Sequence, residues 1–155
     1  MPGSGVHVLR REQRLEAPPE AVFPFFADAR NLEAITPPRL RFRLLTPEPI
    51  AMGVGTFLQY ALRLHGVPVR WDTLIQDWEP PHRFVDVQVR GPYRLWHHTH
   101  ELVAVDGGTV MRDTVRYSMG FGVLGEMARR AVVARDLEAI FAFRGETVPA
   151  LVARL

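Results

Sequence analysis

The chain has 155 residues, 47% of them hydrophobic and 23% charged, the composition of one compact domain spanning residues 1–155 rather than of a disordered segment. All 19 basic residues are arginines, set against 17 acidic ones; the net charge is only +2, so the sequence pI of about 9.6 reflects arginine's failure to titrate, and no nucleic-acid partner is expected. The absence of cysteine excludes disulfides, iron–sulfur clusters, thiolate zinc sites and a cysteine nucleophile.

Met1-Pro2-Gly3-Ser4-Gly5 runs straight into charged, alternating sequence without the apolar core of a signal peptide, and no apolar stretch reaches the roughly 20 residues of a membrane helix. A cytoplasmic protein with no integral membrane segment is expected. Residues 6–16 alternate in part and read as a strand that ends at Ala17-Pro18-Pro19, a proline-marked helix start. A helix over Glu20–Ala27 follows, with Pro24 tolerated, and Asp28 and Asn31 are expected to cap a second short helix through Ile35. From 40 to 119 the period becomes two, predicting six strands at about 40–46, 55–64, 67–78, 83–90, 93–105 and 109–118, an antiparallel meander separated by turn residues. From Phe121 the pattern is helical, with Leu124, Met127, Ala131, Ala134, Leu137 and Phe141 on one stripe; Gly145 and Pro149 are expected to end or kink this helix.

Pairing the last two strands with Leu102 opposite Asp113, His100 opposite Val115 and His98 opposite Tyr117 puts these residues on one face with Trp96, Met111 and Met119. His97, Thr99, Glu101, Arg112, Thr114 and Arg116 take the other, solvated face. Across Gly91-Pro92, Arg83, Val85, Val87 and Val89 join the inner face, leaving Phe84, Asp86, Gln88 and Arg90 outside, with Asp86 opposite His97. Across His65-Gly66, Leu58, Tyr60, Leu62, Val69, Trp71 and Thr73 face inward. The long C-terminal helix is the element able to cover this apolar face, and its small residues Ala128, Ala131 and Ala134 either allow close packing or leave a pocket.

This order of elements resembles the START-like helix-grip superfamily, the fold of the birch-pollen allergen. Leu15-Glu16-Ala17-Pro18-Pro19-Glu20-Ala21-Val22-Phe23 is similar to its strand-to-helix entry, Asn31-Leu32-Glu33-Ala34-Ile35-Thr36-Pro37 to its second helix, and Trp78-Glu79-Pro80-Pro81-His82-Arg83-Phe84 to its W-x-P-P-x-R-F turn. Within the superfamily the chain most resembles the bacterial polyketide cyclase/dehydrase and lipid-transport group. The resemblance implies an α+β fold: a curved antiparallel sheet of about seven strands wrapped around a long C-terminal helix, two short helices after the first strand, and a hydrophobic cavity between sheet and helix.

The expected function is therefore binding of a hydrophobic small molecule, lipid-like or aromatic, for carriage, sensing or sequestration. Its walls are expected to be Tyr60, Leu62, Trp71 and Thr73 from one hairpin, Arg83, Val85, Val87 and Trp96 from the next, Met111 and Val115 from the last strand, and Met127, Ala131 and Ala134 from the helix. Trp96-His97-His98-Thr99-His100 supplies the most informative cluster, because residues two apart on a strand project to the same side. His98 and His100 with Asp113 can act as general acid and base, and Tyr117 can polarise a carbonyl, the equipment of a cofactor-free cyclase or dehydratase. The same residues equally describe two core histidines satisfied by polar neighbours. A His-x-His pair with a carboxylate can also hold a metal, but Glu101 points away from His100, and no metal or other cofactor is expected. A third alternative is an interaction or regulatory module using the exposed sheet face, which could also support a homodimer. Arg39, Arg41 and Arg43 are expected to alternate along one strand as a charged sheet edge.

Overall fold

The computed structural model of the protein describes residues 5–119 and 132–155. Strand β1 (His7–Leu15) alternates half-buried and exposed positions, and helix α1 (Pro19–Phe26) begins with Pro19, whose fixed φ and missing N–H suit the first turn. Asp28 and Asn31 do not cap the short helix α2 (Asn31–Ala34). The Asp28 carboxylate instead accepts the Arg30 backbone N–H at 3.0 Å, and the Asn31 amide donates to the Phe25 carbonyl at 2.8 Å, closing the junction between the two helices.

The expected strand at 40–46 shrinks to β2 (Arg43–Leu44), because Pro38–Leu40 form a 3-10 turn and Arg41 takes a left-handed φ of 46°. Arg39, Arg41 and Arg43 therefore share no strand face. The remaining strands are β3 (Phe57–Leu64), β4 (Val67–Glu79), β5 (Arg83–Arg90), β6 (Leu95–Val105) and β7 (Gly108–Ser118). They form one antiparallel seven-stranded sheet in the order β1-β7-β6-β5-β4-β3-β2, with α1 and α2 carrying the chain from one edge to the other. His65 and Gly66, at φ 51° and 79°, close the β3–β4 hairpin in the two-residue turn its sequence suggests.

Two registers differ from the expected ones, with different consequences. In the β6–β7 hairpin Leu102 pairs with Met111, His100 with Asp113 and His98 with Val115, a slip of two residues that leaves every side chain on its expected face. Between β5 and β6 the slip is one residue, so Asp86 opposes His98 and Phe84 opposes His100. A one-residue slip inverts a strand: Phe84 and Asp86 turn inward, and Arg83, Val85 and Val87 turn outward. Its cause is the connection at 91–94, longer than a tight turn, in which the Gln88 amide donates to the Tyr93 carbonyl (2.6 Å) and accepts the Tyr93 N–H (3.1 Å).

Helix α3 (Ala134–Val152) lies against the inner face and runs through both Gly145 and Pro149 instead of ending there. Proline at 149 removes one helical hydrogen bond, but Val148 and Val152, 1% and 3% exposed, are held in a core with Leu15, Val22, Phe23, Phe84, Leu102 and Met111. Trp78 and Phe84, placed by the Trp78-Glu79-Pro80-Pro81 turn, pack on Phe23 with ring centroids 5.0 and 5.8 Å away. Leu124, Met127, Ala128 and Ala131 lie outside the described residues. No helix among the described residues is long and apolar enough to cross a membrane.

Gly108 opens β7 where β1 ends: a Cβ there would meet the Leu15 carbonyl oxygen at 2.3 Å. Backbone cannot move aside as a side chain can, so Gly108→Ala should destabilise by about 1–3 kcal/mol, measurable by urea unfolding. Gly53→Ala, whose Cβ would meet nothing within 4 Å, is the control.

Candidate functional site

A cavity of about 210 Å³ lies between the sheet and α3. Most of its lining is apolar: Leu58, Leu62, Trp71, Trp96, Met111 and, from α3, Leu137, Ile140 and Phe141. One wall is ionic. Asp86 from β5, His98 and His100 from β6, Asp113 from β7 and Arg144 from α3 meet there, with Gln13 of β1 also lining the cavity.

The geometry of the ionic wall is close-packed. His98 Nε2 lies 2.8 Å from Asp113 Oδ1, and His100 Nε2 lies 2.6 Å from Asp86 Oδ2. The opposite nitrogens cross over, His98 Nδ1 to Asp86 at 3.8 Å and His100 Nδ1 to Asp113 at 3.2 Å, the last too poorly aligned for a hydrogen bond. The two imidazoles stack at 3.6 Å, and Phe84 stacks on the far side of His100 at 4.0 Å. Alternation explains the pairing: His98 and His100 share a strand face, and Asp86 and Asp113 occupy the flanking strands at matching positions.

Burial alone would push both carboxyls up, but their hydrogen bonds with the histidines and the surrounding positive charges outweigh it and hold Asp86 and Asp113 below the ordinary carboxylate range. The histidines part company. Burial, and after it the charge on His100, pushes His98 down against the pull of Asp113 and Asp86; at His100 the burial penalty is overcome by the neighbouring Asp113 carboxylate and the hydrogen-bonded Asp86, and its pKa rises. Burial lowers Arg144 against the attraction of both carboxylates, and a guanidinium remains a cation. The wall thus holds two carboxylates and the Arg144 guanidinium, and of the two histidines it is His100 that holds a proton more readily than His98. With Nε2–H given to Asp113, the basic nitrogen of His98 is Nδ1.

These opposed shifts predict a stability optimum near pH 6.5, the ordinary histidine value. Below it the unfolded chain binds a proton at His98 that the fold refuses, so stability falls; a further loss comes below 3.8 as Asp86 and Asp113 are protonated. Above it the fold keeps the His100 proton that the unfolded chain releases, so stability falls again as pH rises through the folded value. Urea midpoints from about pH 5 to about pH 8 should trace this maximum, with His98→Phe flattening the acid side and His100→Phe the alkaline side. A profile without a maximum would contradict the charge assignment.

Of the residues expected from sequence, the structure brings Tyr60, Leu62, Trp71, Thr73, Trp96, Met111, His98, His100 and Asp113 to the cavity. Tyr60 bonds Thr73, and burial pushes its phenol pKa up, so it stays protonated. Tyr117 and Val115 face inward but pack beneath α3 with Leu137 and Phe141, outside the cavity lining, and half-buried Ala134 does not line it either. Arg83, Val85 and Val87 turn away from the cavity, Val85 fully buried all the same, and Arg83 donates to Asp77 at 3.0 Å. Asp86 and Phe84, outside in the expected register, come inside through its one-residue error. Arg144 escapes a sequence reading that follows the apolar stripe only as far as Phe141, although Leu137, Phe141, Arg144 and Val148 continue it at three- and four-residue spacing.

Asp86, His98 and His100 also bring three potential metal-ligating atoms within 4.8 Å of one another. Stacked imidazoles direct their in-plane lone pairs side by side rather than at a common point, both Nε2 atoms are engaged by carboxylates, and Arg144 adds a neighbouring cation. The donor set therefore suits proton holding better than cation binding.

A curved antiparallel sheet, a C-terminal helix laid against it and an apolar cavity between them define a helix-grip protein. The chain belongs to the polyketide cyclase/dehydrase and lipid transport family, whose model matches residues 6–148. Similar solved structures include the Zhui aromatase/cyclase from Streptomyces sp. R1128 (15% identity, 96% of this chain and 94% of that one, TM-score 0.76). Ara h 8.0201 (16%, 97% and 100%, TM-score 0.71) and TTHA0849 from Thermus thermophilus (20%, 94% and 99%, TM-score 0.70) share the fold as well. No curated protein sequence matches the chain.

Proposed function

We propose that this protein binds a hydrophobic, ring-bearing small molecule between the sheet and α3. The observation that carries the reading is the cavity itself, walled by Trp71, Trp96, Phe141 and aliphatic side chains, with most of its charged groups gathered in the ionic wall and Asp136 held separately by His65 at 3.0 Å. Family membership supports it, since the family's description joins lipid transport with polyketide cyclisation. Native mass spectrometry of the purified protein, compared with a denatured sample, tests it. A mass excess lost on denaturation identifies the bound molecule; a bare chain that also takes up no aromatic or lipid-like compound sinks the proposal.

A second reading, a cofactor-free cyclase or dehydratase, is favoured by the opposed proton affinities of two stacked histidines in the cavity wall. In it His98 Nδ1 takes the proton from a carbon beside a carbonyl, and the His100 imidazolium gives its proton to a departing hydroxyl, which leaves as water. The fold shared with an aromatase/cyclase supports this reading. Tyr117, outside the cavity lining, takes no part. His98→Gln and His100→Gln should each abolish turnover in the enzyme case while ligand retention survives, and leave nothing but retention to measure in the carrier case.

A further inference from the structure

Resting on the cavity being a ligand site, we infer that Arg144 selects an uncharged ligand bearing a hydrogen-bond-accepting oxygen, and that the cavity rejects carboxylates. A half-buried arginine lining an apolar pocket would ordinarily suggest the reverse, an anion site. The charges already present argue otherwise.

Asp86 and Asp113 stand in the same wall as Arg144, each in hydrogen-bond contact with a histidine. Because the imidazoles stack at 3.6 Å, a second buried positive charge beside the first is strongly disfavoured, so at most one of them is an imidazolium. One imidazolium and one guanidinium at most balance the two carboxylates and leave no positive excess for an anion. An incoming carboxylate would add an unmatched charge in a desolvated site, whereas a carbonyl, quinone or phenol oxygen adds none.

The unmet hydrogen bonds point the same way. Arg144 projects from the inward stripe of α3 with its guanidinium 5.5 Å from the Phe141 ring centroid, and its Nε–H is shut from solvent without an acceptor among the described residues. Gln13 Oε1, also in the cavity lining, is likewise shut off and without a donor among the described residues, and His100 Nδ1 is a third open group. Open donors and an open acceptor are together matched by a neutral ligand that carries an acceptor oxygen and a hydroxyl or N–H. A carboxylate offers no donor for Gln13.

Isothermal titration at about pH 7 with three probes of one shape tests this: 2-acetylnaphthalene, 2-ethylnaphthalene and 2-naphthoate. The ketone should bind about tenfold tighter than the hydrocarbon, the size of one hydrogen bond to a charged donor, and at least about tenfold tighter than the carboxylate. Arg144→Met should erase the ketone's advantage while hydrocarbon binding persists. Asp86→Asn, which removes one negative charge from the wall, should improve naphthoate binding about tenfold. Naphthoate binding as tightly as the ketone to the unaltered protein overturns the inference without any variant, and so does a ketone advantage that survives Arg144→Met. Binding of none of the three overturns the ligand-cavity reading itself, a result distinct from either of these.

Discussion

Asp113→Ala should cost about 3–5 kcal/mol of folding free energy near neutral pH, the range for breaking a buried ion pair from one side. Asp113 is 7% exposed and accepts from His98 at 2.8 Å, with His100 at 3.2 Å and the Arg144 charge adding to the field it balances. Its removal leaves a buried imidazole N–H without an acceptor and a positive excess facing the cavity. Asp113→Asn keeps the shape and one acceptor, and should cost less. Because the loss comes from stranded partners, the double variant His98→Phe/Asp113→Leu should recover much of it. Urea unfolding of the unaltered protein, His98→Phe, Asp113→Leu and the double variant gives the cycle; a loss below about 1 kcal/mol for Asp113→Ala would mean that water reaches the cluster.

Leu102→Ala and Leu62→Ala make the same chemical change on the same sheet and should differ in cost. Leu102, 2% exposed, is packed among Leu15, Val22, Phe84, Met111, Val148 and Val152, away from the cavity, so truncation opens a new void in a filled core. Leu62, 8% exposed, already lines the cavity, and its loss enlarges a space that exists. We expect about 4–5 kcal/mol at Leu102 and about 2–3 kcal/mol at Leu62, the two ends of the range for buried leucine truncations. The same experiment reports on function: Leu62→Ala should alter which ligands fit, whereas Leu102→Ala should leave selectivity unchanged. Equal costs at the two sites would mean that side chains fill the space beneath α3.

The chemistry of the ionic wall shows how far local pattern reaches. His98 and His100 alternate with His97 and Thr99, and Asp113 alternates with Arg112 and Thr114, so their common inward face survives a register error of two residues. Tyr60, Trp71 and Thr73 are equally secure, because the positive φ values of His65 and Gly66 set a tight turn that their sequence announces. Strand order follows from short connections, which leave sequential strands little choice but to pair.

Sequence by itself thus determined the element order and three of the five ionic-wall residues, since these depend on two-residue alternation, proline-marked boundaries and tight turns, all local effects, while the helix-grip architecture came from its resemblance to the START-like superfamily. Tertiary structure decided the other two residues. Asp86 reaches His98 and His100 because a 91–94 connection stitched by Gln88 shifts β5 by one residue, and one residue is enough to invert a strand. Arg144 reaches the cavity because it shares the inward stripe of α3 with Leu137, Phe141 and Val148, and α3 packs across the strands that carry Asp86 and Asp113. The first outcome turns on how one connection is bridged and the second on helix-to-sheet packing, and two-residue alternation carries no signal for either.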